Sequence, residues 1–590
     1  MGGCDAPSGE LERAFRRADR PDLALLLNHG YTGPESPAGG APDTGGIQTY
    51  VQSLAASLSR LGYRVTVFTR GGFPHFDGAR LRRETEYLEP CVRFVYVPGG
   101  GDAFLRKEDM AQALDEQLAW LDRFVRAEAA ERGCPPWEVY ALWNSHFWDG
   151  AVLGLGLTER WRDDVAAEAL GRLLQGVVPD EELERVRAGR HALALGLEWE
   201  HHLGRLLLEL EGSPATPVAS RVRASASRWA AVRGLKRRQA AAVLAAVDHA
   251  LHRAGRELAP ALQPLLAADA LGQAVLEHSP EVAAWAAAAF ARVDRHAWTP
   301  HALAALEEDG QAGRRELRLC ERRCHERLVV SRTRAFAATS PALAERLRSH
   351  LGAPAAGLFY FPPCVDRARF RPHSAAEMAP ALRYLAGLSG VSAGALGRAK
   401  LVFETSRMDP TKRKDLLLDA FARVAEATRG EPWRAYLFIG GGPENEVAQA
   451  LRRQIASHAA LRGRAFLTGF IPEEHLAPLF SLAAVYASPA EVEDFGMTVS
   501  QAAASGCAVV CSDLIPFPRQ YAPADAIILP AGDVDDWVQA LRRLLDDDRD
   551  RAARALRLQE RVKVLDWDAQ TRAFLAHLGR LGMDIPPGRP

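Results

Sequence analysis

The sequence predicts an α/β fold built from two doubly wound, Rossmann-like domains, the first carrying a large all-helical insertion. Three observations predict it. Residues 23–72 run strand, glycine loop, helix, strand; a second alternation of strands and helices begins near residue 400; and the stretch between them is rich in Ala, Leu, Arg and Glu, almost without β-branched runs. Strand–loop–helix–strand order is the signature of a parallel sheet with crossover helices.

In order along the chain, LALLLNHG (23–30) reads as a short buried strand, followed by a Gly/Pro-rich loop. IQTYVQSLAASLSRLG (47–62) has helical spacing, with Ile47, Val51, Leu54, Leu58 and Leu61 near one face, and YRVTVFTRGG (63–72) is a strand again. Residues from about 151 to 293 are expected to be helical, with a break at GSPATP (212–217). Spaced arginines on alanine-rich helices could meet a partner, but a helical insertion packed on its own domain is the simpler expectation. LVFETS (401–406), DLLLDAFARVAEATRG (415–430) and WRAYLFIGGG (433–442) restart the alternation. RAFLTGF, AVYASPA, CAVVCSD and AIILPAGD add strands, and WVQALRRLLDDD and a long charged helix close it. The expected domains are 21–375, including the insertion, then 376–575, then a tail at 576–590.

The bulk numbers fit such a protein. A chain of 590 residues holds two to four domains, and 48% hydrophobic with 25% charged residues is ordinary for a soluble globular protein. A formal net charge of −1 provides no global pull toward nucleic acid or a membrane surface. The first 20 residues are polar and charged, without a signal peptide's apolar core, and no apolar run approaches the roughly 20 residues that span a bilayer. The 8 cysteines form no CxxC pair and no dense framework, so a reducing cytoplasm is expected. Cys320 and Cys324 share a helix face beside His325, but no second ligand pair lies near them in sequence, so no metal site is expected.

Open parallel sheets take ligands at the carboxyl ends of their strands, and four loops there carry chemistry. Gly45-Gly46 sits before a helix, where backbone N–H groups can approach an anion; a plain tight turn is the alternative. His146 and Asp149 in WNSHFWDGA follow a strand, where a histidine can bond a sugar hydroxyl or simply pack in the loop. Arg407 and Lys412 in ETSRMDPTKRKD flank a turn between strand and helix, where two cations can neutralise a diphosphate. In EVEDFGMTVSQ (491–501) three acids precede a helix beginning near Gly496. Acids there suit the helix dipole, but the aromatic-glycine turn favours ligand contact. The N–H groups of Phe495, Gly496 and Met497 would face the cleft, and Glu493 could accept from ligand hydroxyls.

Together these pieces resemble the retaining GT-B glycosyltransferases of family 4, in the branch of sucrose-phosphate synthase, sucrose synthase and bacterial glycosylglycerate-type synthases. Pro42-Asp43-Thr44-Gly45-Gly46-Ile47-Gln48 resembles the family's PDTGGQ, with Ile inserted before Gln or replacing it. His146-Phe147-Trp148-Asp149 resembles HxxDA, though Gly150 precedes the alanine. Ser406-Arg407-Met408-Asp409-Pro410-Thr411-Lys412 resembles SRxDPxK, and PPCVDRARF (362–370) resembles PPGVDxxRF. The pieces occur in the family's order and cover roughly 21–150 and 296–575. There are departures. The family's Glu-x7-Glu begins at Glu493 but ends on Gln501, whose amide can accept from a ribose hydroxyl without charge. The PHSLGxxK-like loop at 299–309 keeps His301 but has Ala302, Ala304 and Glu307 where Ser, Gly and Lys are usual.

The resemblance implies two domains facing a cleft and transfer of a hexose, with retention, from a nucleotide sugar such as UDP-glucose or GDP-mannose. The acceptor would be a small anionic sugar or glycerate. Arg407 and Lys412 would hold the departing diphosphate, with Gly45 and Gly46 closing over it. Glu493 and the Phe495–Met497 backbone would hold the sugar, Gln501 the ribose, and His146 the region of the reacting carbon. Asp149 and His301 would lie on the acceptor side. No metal and no cofactor beyond the donor would be required. The alternatives are a sucrose-phosphate synthase proper, or a weakened homologue that binds nucleotide sugar and acts through its helical insertion. The sequence leaves the oligomeric state open.

Overall fold

In a computed structural model of the chain, the described residues are 8–35, 45–76, 78, 81–174, 280–300, 319–429, 431, 433–442 and 444–589. Two parallel sheets organise them. The first is eight-stranded, with strands β1 (Asp22–Leu27), β2 (Arg64–Gly71), β3 (Glu86–Glu89), β4 (Val92–Pro98), β5 (Leu142–His146), β6 (His296–Thr299), β7 (Ala335–Ala338) and β8 (Leu358–Tyr360). Their spatial order is β3-β4-β2-β1-β5-β6-β7-β8, and every pairing is parallel except the edge pair β3–β4. The second sheet has β9 (Lys400–Thr405), β10 (Ala435–Gly440), β11 (Ala465–Gly469), β12 (Val485–Ser488), β13 (Ala508–Ser512) and β14 (Ile527–Leu529), in the order β11-β10-β9-β12-β13-β14, all parallel.

Helices cover both faces, which is why strands such as DLALLL and AYLFIG are buried at every residue and read as continuous apolar runs. Both expected doubly wound sheets are present, with the strand and helix cores within a few residues of their expected limits. The expected helical insertion is described only at its ends, as the helices Phe147–Leu174 and Pro280–Val293. Residues 175–279, including the expected break at 212–217, lie outside the described residues. Among the described residues no helix is long and apolar enough to cross a membrane.

The strand order reverses once in each sheet, between β1 and β5 in the first and between β9 and β12 in the second. At such a reversal the flanking loops diverge and leave a crevice at the strands' carboxyl ends. The two crevices belong to lobes that are tied together. The helix Trp567–Arg580 runs through residue 575, the expected end of the second domain, and packs on the N-terminal lobe. Its Trp567 ring lies 5.0 Å from that of Tyr50, Ser57 donates to Asp568 at 2.7 Å, and Phe574 meets Phe359 and Phe361. Beyond it, the Arg589 N–H donates to the Gly62 carbonyl at 2.8 Å. One buried apolar cluster therefore runs from Val51 and Leu54 through Phe361 and Trp567 to Phe403 and Tyr486.

Candidate functional site

The crevice of the second sheet is built from the turn after β9 and the loop after β12. Asp409 opens a single 3-10 turn, Pro410–Lys412, its Oδ1 accepting from the Thr411 N–H at 2.9 Å and hydroxyl at 2.6 Å. Arg413 then takes a left-handed conformation, φ 47°, and the chain enters the helix Lys414–Ala427. This geometry buries Lys412 and sends its ammonium across the crevice, donating to Glu493 Oε2 at 2.8 Å and to the Val492 carbonyl at 2.7 Å. Arg413 pairs with Glu491, whose backbone N–H donates to the Thr411 carbonyl at 2.7 Å. The acids at 491–494 are thus stapled to the basic turn rather than serving as helix-dipole decoration.

Two charged groups stay uncommitted. Arg407 is exposed, and its guanidinium makes no hydrogen bond or ion pair among the described residues. Asp494 is reached by solvent yet walled in by protein; that enclosure, and then the Glu493 carboxylate, raise its pKa to about 6. Glu493 engages Lys412 through one oxygen, and its Oε1 makes no hydrogen bond among the described residues.

The helix Met497–Ala504 starts from Gly496, at φ 96°, where an added Cβ would sit 2.5 Å from an Ile515 methyl. Phe495 is fully buried against Phe517 and Tyr521 and its carbonyl accepts from the Phe517 N–H, so only its backbone N–H is left for a ligand. The Met497 sulfur lies 3.2 Å from where a Cβ on Gly46 would be. Gly46 and Met497 are therefore where the lobes close on one another. Gln501, one turn further on, is half-buried with no hydrogen bond to its side-chain amide among the described residues.

In the first sheet's crevice, His146 ends β5 and is fully buried, and burial pushes its pKa down to about 3. Phe147 follows at φ 64°, an uncommon conformation for an aromatic residue, held by the Trp298 indole donating to its carbonyl at 3.1 Å. Asp149 is fully buried and does not line the crevice. Its Oδ2 lies 3.1 Å from His29 Nδ1 and its Oδ1 accepts from the Gly150 N–H at 2.8 Å, so it stands behind His29. Gly150 lets the following helix approach β1, since a Cβ there would meet the Leu26 carbonyl at 2.7 Å.

His29 escaped the sequence reading, although a histidine two residues beyond the central strand β1 was a signal in plain view. Gln48 ties it to the glycine turn, accepting from the Gly45 N–H at 2.7 Å and donating to the His29 carbonyl at 3.4 Å. His301 lies outside the described residues. His325 stacks on Trp148 with ring centroids 5.1 Å apart, and among the described residues no cluster of His, Cys, Asp and Glu could hold a metal ion.

A crevice with basic groups on one wall, in a sheet of this order, meets a known family. Residues 399–547 match the family described as "Glycosyl transferases group 1". The second sheet's lobe is therefore similar to the group 1 glycosyl transferases over these residues. Curated relatives include a mannosylfructose-phosphate synthase of Agrobacterium fabrum, 35% identical over 139 residues, covering 24% of this chain and 27% of that one. A D-inositol 3-phosphate glycosyltransferase of Saccharomonospora viridis is 30% identical over 217 residues, covering 36% and 48%. The chain thus spans less than half the length of these two relatives.

Over the whole molecule the solved sucrose-phosphate synthase of Thermosynechococcus elongatus superposes with a TM-score of 0.57 at 18% identity, covering 95% of this chain and 98% of that one. The glycosyltransferase WaaG, described as involved in lipopolysaccharide biosynthesis, gives 0.50 at 11% identity, covering 94% and 98%. These likenesses show the GT-B fold. Within it, the second lobe carries Arg407, Lys412, Glu493 and the Gly496 turn, and the other lobe brings Gly46 against Met497.

Proposed function

We propose that this chain moves a hexose from a nucleotide sugar, of the UDP-glucose or GDP-mannose type, to a small anionic sugar or glycerate acceptor. The reaction proceeds with retention and without a metal ion. The observation that carries this reading is Arg407. An exposed guanidinium without an ionic partner among the described residues, at the reversal point of the lobe similar to group 1 and in one turn with Lys412, is a diphosphate site in charge and placement.

Arg407 takes the phosphate oxygens directly. Lys412 does so while Glu493 holds it in place and offers Oε1 to a sugar hydroxyl. The N–H groups of Phe495, Gly496 and Met497 add donors at a helix start, and Gln501 accepts from the ribose. The leaving diphosphate takes the acceptor's proton as the new bond forms on the same face, so no protein nucleophile is needed. His146 stays neutral at working pH and serves the sugar near its reacting carbon. His29, braced by Asp149, serves the acceptor, the role the sequence also assigns to His301. The place of action is the cytoplasm.

The test is nucleoside diphosphate release from a panel of nucleotide sugars, with and without candidate acceptors. Acceptor-dependent release from one donor is expected; no release from any donor overturns the reading. Arg407→Ala should lower kcat/KM by ~10²-fold or more, as loss of a charge-stabilising donor does. Because the side chain is exposed, the urea midpoint should hold. Full turnover in that variant removes Arg407 from the site.

A further inference from the structure

Directly beneath the Arg407 turn lies an ion pair that the reading above does not use. Glu404, in β9, and Lys414, at the start of the following helix, meet at 2.8 Å, and both side chains are 1% exposed. Burying such a pair costs desolvation that hydrophobic side chains would not incur, so its presence is poor evidence for stability alone. Its remaining bonds reveal what it holds. Lys414 donates to the Ser406 carbonyl at 2.9 Å and to the Gly440 carbonyl at 2.7 Å, while Ser406 Oγ donates to Glu404 Oε1 at 2.6 Å. One buried pair therefore grips both faces of Ser406 and ties the turn after β9 to the end of β10.

The surrounding contacts converge on the same turn. Gly441, at φ 112°, brings its backbone so close to Ser406 that a Cβ would fall 1.7 Å from that carbonyl. Asn445 donates to the Met408 carbonyl at 2.8 Å, and the Tyr486 hydroxyl donates to the Thr405 carbonyl at 2.9 Å. Residues 405, 406 and 408 are thus each fixed from below, while the side chain of 407 stands clear of them.

We infer that the Glu404–Lys414 pair is a positioning device for Arg407, fixing the Ser406–Met408 backbone so that the guanidinium is aimed at a donor diphosphate before the ligand arrives. The inference rests on the nucleotide-sugar reading above and names the residues that prepare its phosphate contact. Holding a reacting group in place beforehand lowers the ordering cost at binding.

The test replaces the pair with apolar side chains, Glu404→Leu with Lys414→Met in the full-length chain, leaving no unpaired buried charge. Three measurements follow: the urea midpoint, hydrogen exchange of the amides in 405–412, and the affinities for UDP and GDP. With the midpoint unchanged, exchange in 405–412 should accelerate about tenfold, as local release of a held segment does. The affinity of the nucleoside diphosphate that the wild type binds should weaken about tenfold, and adding Arg407→Ala should then cost little, since coupled residues are non-additive. Unchanged exchange, or an Arg407→Ala penalty as large in the apolar background as in the wild type, overturns the inference. If the paired variant does not fold, Lys414→Arg keeps the charge but not the point geometry. It should show the same loss of affinity with rapid exchange; wild-type values in it would equally overturn the inference. A wild type that binds neither nucleotide defeats the nucleotide-sugar reading, and the exchange rates still decide whether the pair holds the turn.

Discussion

Lys412 and Glu493 satisfy one another across the crevice, which leaves the balance of charge there to Arg407 and Asp494. Asp494 is held near pKa 6, so it is ionised at pH 7.5 and largely neutral at pH 5.5. The diphosphate of an intact nucleotide sugar keeps its charge over that range. Binding of the donor should therefore tighten as pH falls through 6, and Asp494→Asn should bind at pH 7.5 as the wild type does at 5.5, without further pH dependence. Titration calorimetry at both values checks it; a wild type with flat affinity would place Asp494 away from the phosphates.

The histidines behave in the opposite sense. Burial holds His146 near 3 and His296 near 4, whereas an unfolded imidazole titrates near 6.5. Between those values the unfolded chain binds more protons, so stability is fully present above about 6.5 and declines as pH falls below it. Imidazole NMR should show neither ring titrating above pH 5, and the urea midpoint should drop between pH 6.5 and 4.

At the scale of elements, glycines decide how closely the loops approach. Gly496 combines a positive φ with an Ile515 methyl 2.5 Å from any Cβ, and the helix Met497–Ala504 starts from its turn. Gly496→Ala should cost about 1–3 kcal/mol, as overpacking with backbone strain does. It should also weaken donor binding, read by urea unfolding and calorimetry together. The left-handed Arg413 plays a similar part without being glycine. Its Arg413–Glu491 pair and the Glu491 N–H bond to Thr411 compensate the strain by fixing the turn to the facing loop.

For the molecule as a whole, the C-terminal helix Trp567–Arg580 joins the lobes by packing on the helix Gly46–Arg60, which itself begins at the glycine turn facing Met497. This helix is a strap packed across the two lobes. Trp567 stands at its centre between Tyr50 and Phe361. Trp567→Ala should destabilise the fold by about 3–5 kcal/mol, the usual cost of removing a buried tryptophan. Denaturant unfolding measures it, and a cost under about 1 kcal/mol would mean that the lobes do not depend on the strap.

Local pattern determined much of this protein. Apolar runs bounded by glycine give strands wherever helices cover both faces of a sheet, so β1, β2, β9 and β10 were legible, as were the loops at their carboxyl ends. The placement of Arg407, Lys412 and Glu493 in such loops was legible for the same reason, because these loops follow the strand ends. What the sequence could not carry is which charges meet. Three acids in EVEDFGM look alike in one dimension, yet one is paired with Arg413, one with Lys412, and one is left free to titrate. Asp149 looked like a crevice residue but turned inward to brace His29, and Glu404 and Lys414 form a buried pair only because a strand end and a helix start are brought together. Strand and helix periodicity is a local property of the backbone, whereas ion pairing and burial depend on residues tens of positions apart. Only the tertiary structure could decide those.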